Sequence, residues 1–200
     1  MKRSTKIWIG VGAGVLIAGV LVFAFRNPIK RGLKKTFKGY KWFDTGLKWY
    51  RDAKTRNIVE TLHPKAVDDF KEFISRVEKE LGLQVIATSG YRSWEKQAEL
   101  HKQNPKNASA GNSSHNYGSA LDLNVLDKNG KNILRMATPK SSWENSGIVR
   151  IAKDMGFKWG GDFRGYYDPV HFYKEPMSRE QMKSLYLAGK KDSKGYIKIS

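Results

Sequence analysis

The sequence predicts an α+β fold, in which a small antiparallel sheet is flanked by helices, together with one N-terminal transmembrane helix. Segments with helical and strand-like spacing do not alternate regularly, and the chain shows no internal repeat, which disfavours a doubly wound parallel sheet. With 200 residues and 40% hydrophobic content, the chain can form one domain of ordinary size plus an extra segment. That segment is an uncharged apolar stretch near the N-terminus.

The apolar stretch covers residues 7–25 and contains no charged residue. As a helix it would reach roughly 28 Å, which is close to the hydrocarbon thickness of a bilayer. A cleaved signal peptide is the alternative, but its apolar region is normally only about 7–15 residues long. We therefore expect a single-pass anchor, preceded by a basic tail over residues 1–6 and followed by a basic aromatic connector over residues 26–59.

The composition restricts the partners and the kind of metal site. The formal net charge of +18 favours an anionic partner, such as phospholipid headgroups or an anionic wall polymer. The sequence has no Lys/Arg-rich recognition helix and no aromatic ribonucleoprotein motif, so no nucleic-acid partner is expected. Cysteine is absent, and any metal must therefore be bound by His, Asp or Glu. The connector's rings and lysines could lie on a membrane surface or pack on the domain.

The globular part, residues 60–200, begins with a helix and a strand. Apolar residues at helical spacing predict a helix over residues 64–81, which ends at Gly82. The apolar run 83–90 predicts a buried strand, and a second helix is expected to begin at Ser93. The Asn, Pro, Gly and Ser content of residues 104–114 indicates a loop.

Strand alternation is clearest over residues 119–126. Leu121, Leu123 and Val125 point to one face of this strand, whereas Asp122 points to the other. Asp122 can therefore line a cleft instead of lying in the core. The remaining predicted elements are a turn at 127–130, a helix at 147–155, a strand at 169–174 and a last helix with a capping box of Ser178 and Gln181.

Five residues can be combined into one catalytic site. His115 lies on the loop that enters the Asp122 strand, and His171 lies in the last predicted strand; two imidazoles and a carboxylate match a zinc site with its fourth position left for water. Asp168, three residues before His171, could act as a base, and Arg92 could stabilise an oxyanion or bind a substrate carboxylate. Taken singly, each residue could equally be a loop histidine, a turn cap or an ordinary ion-pair partner.

The order of several short motifs resembles peptidase family M15, the zinc DD-peptidases. The motifs are SGYRS with Gln97 after it, SSHNYGSALDL, GFKWGGDF and DPVHF, spread over about residues 60–175. The resemblance is strongest to L-alanyl-D-glutamate endopeptidases and phage endolysins, and D-alanyl-D-alanine carboxypeptidases form the neighbouring branch. It implies a Hedgehog/DD-peptidase-like fold and a zinc peptidase domain over residues 60–200.

The resemblance also implies roles for individual residues. His115, Asp122 and His171 match the ligands of one zinc ion, Asp168 matches the general base, and Arg92 matches the arginine that stabilises the transition state. Four further positions match residues near the substrate or the wall of the cleft: Ser113, Gln97, Asp162 and Trp159. One departure is Tyr173, since family members often carry Glu or Gln after HF, and this change bears on the support of His171.

The implied activity is zinc-dependent hydrolysis of a peptide bond in peptidoglycan stem peptides, of the L-Ala-D-Glu endopeptidase or D-Ala-D-Ala carboxypeptidase type, in cell-wall remodelling or lysis. Because peptidoglycan lies outside the cytoplasmic membrane, we expect the catalytic domain to face the periplasm or cell exterior. The basic connector favours the opposite orientation, although large domains can be exported regardless of charge. Two alternatives remain: a non-catalytic cell-wall-binding or virion-associated module on the same fold, and a membrane-bound nucleic-acid binder suggested by charge alone.

Overall fold

The computed structural model describes residue 50 and residues 52–199. The expected anchor at residues 7–25, the basic tail and most of the connector lie outside these described residues, so the anchor stays a prediction. Among the described residues, no helix is long and apolar enough to cross a membrane.

A five-stranded antiparallel sheet forms the centre of the domain. Its strands follow the spatial order β1-β2-β5-β4, and β3 also pairs with β2. In chain order they are β1 (Gln84–Ser89), β2 (Ala120–Leu126), β3 (Asn132–Leu134), β4 (Lys158–Trp159) and β5 (His171–Tyr173). Register places Asp122 of β2 opposite His171 of β5 on one side and opposite Ser89 of β1 on the other.

Six α-helices surround the sheet in the described part of the chain. They are α1 (Ala53–Glu60), α2 (Pro64–Leu81), α3 (Trp94–Gln103), α4 (Lys140–Asn145), α5 (Ile148–Asp154) and α6 (Arg179–Leu187). Two short 3₁₀ turns, Ser114–Tyr117 and Gly160–Asp162, precede β2 and follow β4. Both turns lie close to the candidate site.

The hydrophobic core lies between α2 and the sheet, and aromatic rings form much of it. Phe73 of α2 packs 5.4 Å from Phe172 of β5, and Phe70 packs 4.8 Å from Phe157, measured between ring centroids. Burial of each such ring stabilises the fold by about 1.5–3 kcal/mol. Since side chains alternate along a strand, the neighbour of Phe172 in β5, His171, points away from this core.

Most of the expected elements are confirmed. The helix over 64–81 has the expected bounds, Ser93 caps α3, and Ser178 with Gln181 forms the capping box of α6. The buried positions of β2 alternate as its apolar pattern predicts. The structure adds short elements that the sequence did not predict: β3, β4, α4 and the 3₁₀ turns.

Helix α1 lies within the stretch that the sequence assigned to the connector. Its Thr55 is fully buried, and the Thr55 hydroxyl oxygen accepts a hydrogen bond of 3.0 Å from the backbone N–H of Ala87 in β1. That N–H lies at an irregularity in the pairing of β1 with β2, where the sheet itself leaves a donor to be satisfied. The folded domain therefore begins before residue 60.

Candidate metal centre and active-site cleft

The pairing of β2 with β5 brings Asp122 and His171 together, and the 3₁₀ turn before β2 adds His115. Asp122 Oδ1 lies 2.9 Å from His171 Nδ1 and 3.1 Å from His115 Nε2, and the two imidazole nitrogens are 3.1 Å apart. Ligand atoms at about 2.0–2.2 Å from a tetrahedral zinc ion lie about 3.3 Å from one another. The three side chains therefore converge in a way that can hold one metal ion.

The orientation of His115 is fixed by its second ring nitrogen. His115 Nδ1 lies 2.6 Å from the carbonyl oxygen of Gly90, at the end of β1. A carbonyl can only accept, so Nδ1 carries the hydrogen, and the lone pair of Nε2 is directed at Asp122 and His171. The ring is 3% exposed, and this tautomer is the one that a metal ligand requires.

The Asp122 carboxyl is held in its charged form. Burial alone would raise the pKa of this carboxyl, but the charges and hydrogen bonds of His115 and then His171 outweigh burial and hold the pKa well below its ordinary value of 3.8. Asp122 is therefore a carboxylate across the physiological pH range, as a metal ligand must be.

Asp168 lies on the loop before β5 and lines the same cleft. Its backbone N–H donates to Gly160 O at 3.2 Å, and its carbonyl accepts from the backbone N–H of His171 at 3.2 Å. The pKa of the Asp168 carboxyl is raised above 3.8, first by burial and then by the negative charge of Asp122, although His171, His115 and Arg92 act in the opposite direction. A raised pKa suits a group that accepts and releases a proton.

Arg92 lies beside this cluster, held by side chains on both sides. Its Nη1 donates to Gln97 Oε1 at 2.9 Å, its Nη2 donates to Ser89 Oγ at 3.0 Å, and Nη2 lies 3.8 Å from Asp122 Oδ2. Gln97 is 1% exposed, and its amide donates to the carbonyl of Ala108 at 2.5 Å. Gln97, expected near the substrate, thus orients Arg92 and anchors the 104–113 loop as well as lining the cleft.

The other substrate positions expected from sequence divide into two groups. Ser113 lines the cleft, and its hydroxyl accepts from the backbone N–H of His115 at 3.4 Å. Trp159 is 1% exposed in the core, where its indole N–H donates to Pro169 O at 2.8 Å. Asp162 is exposed and forms ion pairs with two lysines, Lys140 at 3.2 Å and Lys153 at 2.7 Å.

Neither Trp159 nor Asp162 lines the cleft. The structure therefore corrects the expectation that these two residues contact substrate. The physical reason is local: β4 directs the large Trp159 ring into the core, and the 3₁₀ turn that follows directs Asp162 towards solvent. Their neighbours Phe163 and Tyr166, on the loop between β4 and β5, line the cleft instead.

A polar latch joins the end of β5 to the turn that carries His115, and sequence reasoning missed it. Glu175 Oε1 accepts hydrogen bonds from Ser114 Oγ at 2.9 Å and from Arg179 Nε at 3.0 Å and Nη2 at 2.5 Å. Arg179 also donates to Ser114 Oγ and to Asn112 O, both at 2.8 Å. The spacing of these residues in the sequence could have indicated the latch, because Glu175 follows His171 by four residues and Arg179 follows Glu175 by four.

Tyr173 stands where the resembled family often carries an acidic or amide residue. Its ring packs 5.3 Å from that of His171 and 5.8 Å from that of Phe163. A carboxylate is nevertheless present near the site, two residues further along at Glu175, where it bonds the Ser114 hydroxyl next to His115. Packing by Tyr173 thus supports His171, and the latch supports the turn that carries His115.

The cleft has a volume of about 450 Å³. Besides the metal-binding cluster, Asp168, Arg92, Gln97 and Ser113, it is lined by residues that the sequence did not single out. Among them are Lys106, Asn112, Met136, Phe163, Tyr166 and Arg179.

Comparison with known proteins finds several that are similar to this chain. A peptidase M15 family model described as D-alanyl-D-alanine carboxypeptidase matches residues 106–174. The peptidoglycan L-alanyl-D-glutamate endopeptidase CwlK of Bacillus subtilis (strain 168) is 35% identical over 131 residues, which cover 60% of this chain and 77% of CwlK.

Similar solved structures include the L-Ala D-Glu endopeptidase ChiX of Serratia marcescens, with 18% identity and a TM-score of 0.47 over 63% of this chain and 90% of ChiX. The LdcB LD-carboxypeptidase has 22% identity and a TM-score of 0.41 over 62% of this chain and 70% of LdcB.

Proposed function

The chain belongs to peptidase family M15 and is a peptidoglycan peptidase. From this premise we propose that it hydrolyses the bond between L-alanine and D-glutamate in stem peptides, using one zinc ion. The observation that carries the proposal is the convergence of His115, Asp122 and His171 in one cleft with Asp168 and Arg92. The choice of bond rests on the likeness to CwlK over 77% of that protein's length.

His115 Nε2, one Asp122 oxygen and His171 Nδ1 would hold the zinc ion. A zinc ion bound there would polarise the scissile carbonyl and lower the pKa of a bound water to about 7. The protein's own contribution is to orient the two imidazoles: the Gly90 carbonyl accepts the hydrogen bond of His115 Nδ1, and the pairing of β2 with β5 places His171 opposite Asp122.

Asp168 would accept the proton of the attacking water and pass it to the leaving amine. Its raised pKa, caused first by burial and then by repulsion from Asp122, makes it a stronger base than an exposed aspartate. Arg92 would hold the developing oxyanion or a substrate carboxylate. Because Gln97 and Ser89 orient its guanidinium before substrate arrives, little ordering is required in the reaction itself.

The test is digestion of muropeptides by the zinc-loaded full-length protein in detergent, followed by mass spectrometry. We expect wild type to cleave and Asp168→Asn to lose cleavage by at least about 100-fold while it keeps one zinc per chain. Asp162→Asn is the matched control, because this exposed aspartate lies outside the cleft and should retain wild-type activity. Intact muropeptides after treatment with zinc-loaded wild type would contradict the enzyme proposal and favour a wall-binding module.

A second candidate bond is D-alanyl-D-alanine, and the description of the matching family model favours it. Product analysis separates the two reactions. Carboxypeptidase cleavage releases free D-alanine and shortens the stem by one residue, whereas endopeptidase cleavage separates L-alanine from the rest of the stem.

We also propose that residues 7–25 anchor the enzyme in the cytoplasmic membrane, with the domain facing the periplasm or cell exterior. The support is the length of the uncharged stretch and the location of the substrate. Protease added to intact spheroplasts should degrade the domain. Protection that is lost only on lysis would place the domain in the cytoplasm.

A further inference from the structure

Basic and acidic side chains both line the cleft. Three basic side chains line it, Arg92, Lys106 and Arg179, with two carboxylates, Asp122 and Asp168. A third carboxylate, Glu175, lies outside the lining but pairs with Arg179 at 2.5 Å. A cation of the lining that has no carboxylate partner would attract an anionic ligand more strongly than a neutral one.

The three basic side chains differ in how many hydrogen bonds they already form within the protein. Arg92 is bonded to Gln97 and Ser89 and lies near Asp122. Arg179 is bonded through all three of its nitrogens, although Nη1 has one N–H beyond the bond to Asn112 O.

Lys106 is different. Its side chain is exposed, and its ammonium group forms no hydrogen bond or ion pair with any described residue. The backbone around it is nevertheless held in place. The Lys106 N–H donates to Asn104 Oδ1 at 3.1 Å, and the Ala108 carbonyl is bonded by Gln97. A free ammonium on an anchored segment of the cleft is available to a ligand anion.

Apolar side chains line another part of the cleft. Met136 is 47% exposed, Phe163 37% and Tyr166 44%, and they are three of the four large hydrophobic residues that are exposed in the described part of the chain. Exposed apolar groups gathered at a cleft suit the methyl and methylene groups of a peptide. The lining therefore fits a ligand that combines short aliphatic parts with a carboxylate.

We propose that Lys106 and the remaining N–H of Arg179 form a carboxylate-binding subsite, so that the enzyme selects stem peptides whose glutamyl residue has a free carboxylate over those in which it is a carboxamide. This inference rests on the proposed function, because an L-alanyl-D-glutamate bond places a glutamyl residue directly beside the scissile bond. A carboxamide has the same shape as the carboxylate but lacks its charge, and so it tests the effect of that charge, which replacement of Lys106 then assigns to the subsite.

The experiment compares two synthetic stem peptides that differ only in this group, using the zinc-loaded full-length protein in detergent. Wild type should hydrolyse the carboxylate peptide with about tenfold higher kcat/KM than the carboxamide peptide, which is the loss typical of one charge-assisted hydrogen bond. Lys106→Gln should reduce this ratio to below about threefold, and high salt should weaken the wild-type preference.

Lys102→Gln is the matched control, because Lys102 is an exposed lysine of α3 that does not line the cleft; it should keep the wild-type ratio. Equal rates on the two peptides in wild type, or an unchanged ratio in Lys106→Gln, would overturn the subsite.

If neither peptide is cleaved, the proposed function fails, and the subsite is judged by calorimetric binding of the two peptides to wild type and Lys106→Gln. Tighter binding of the carboxylate peptide that depends on Lys106 would uphold the subsite, and equal binding would overturn it.

Discussion

Replacement of Gly160 by alanine should impair the site although it replaces no functional side chain. Gly160 lies in the 3₁₀ turn after β4, directly against Asp168 on the loop before β5 and His171 at the start of β5. A Cβ atom added here would lie 2.3 Å from Asp168 O, 3.0 Å from His171 Cβ and 3.2 Å from Asp168 Cβ. The nearest contact is with backbone, so it cannot be relieved by a change of rotamer.

The magnitude follows from this contact. Cβ atoms essentially never approach other heavy atoms closer than 3.0 Å, so the Asp168 backbone must move by about 0.7 Å relative to Gly160. A misplacement of about 1 Å at a reacting group can cost roughly 100-fold in rate, or about 2.7 kcal/mol in the barrier. We expect Gly160→Ala to lower kcat/KM by roughly 30- to 100-fold.

The assay is the rate of muropeptide cleavage by the full-length protein, measured alongside zinc content and thermal unfolding. Gly130→Ala is the control: Gly130 lies in the turn between β2 and β3 with φ +79°, and its Cβ would meet nothing within 4 Å. This variant should lose about 1 kcal/mol of stability from its left-handed backbone but keep its activity. Retention of kcat/KM within threefold in a folded, zinc-bound Gly160→Ala protein would refute the reasoning.

Three further predictions concern charge and metal. In the zinc-free protein, carboxyl NMR should show that the pKa of Asp168 lies above 3.8. Asp122→Asn should lower this pKa because it removes the negative charge that repels the Asp168 carboxylate. An unchanged pKa in this variant would contradict the role given to Asp122. Because the pKa of Asp168 is higher in the folded state than in the unfolded state, Asp168 stabilises the fold at pH values below its unfolded-state pKa. This contribution to the free energy of unfolding is lost as the pH rises through the folded-state pKa. Glu175→Gln should destabilise the protein by about 1–3 kcal/mol in urea unfolding, since it removes the carboxylate that bonds Arg179. The control is Glu180→Gln at an exposed position of α6, which should change the stability by less than about 0.5 kcal/mol. Free zinc at 100 times its Kd should stabilise the fold by about 2.7 kcal/mol, so a Tm that is unaffected by a chelator would argue against the metal site.

Local patterns in the sequence were sufficient to predict the longer helices and strands. Helix α2 and strand β2 bury one face each, and burial on one face imposes a spacing that is visible in the chain itself. Capping residues such as Ser178 act within one helical turn, so the helix start that they stabilise could also be predicted from the sequence. Strands of two or three residues, such as β4 and β3, are too short to show a period, and they form because β5 and β2 offer free edges.

The same distinction holds within the site. His115, Asp122 and His171 indicated a possible zinc site, and the resemblance of the ordered motifs around them and Asp168 to family M15 implied a zinc peptidase. Their spacing did not reveal that Trp159, next to the same motif, packs into the core.

The sequence by itself determined which residues can provide a metal site, a base and a fixed cation, because those are properties of side-chain chemistry and order. Only the tertiary structure decided which of them meet. Asp122 and His171 are 49 positions apart, and the antiparallel register of β2 and β5 places them opposite each other. Lys106 and Arg179 line the cleft for the same reason, since folding brings a loop and a helix terminus to the end of that strand pair, and no local pattern records such a long-range contact.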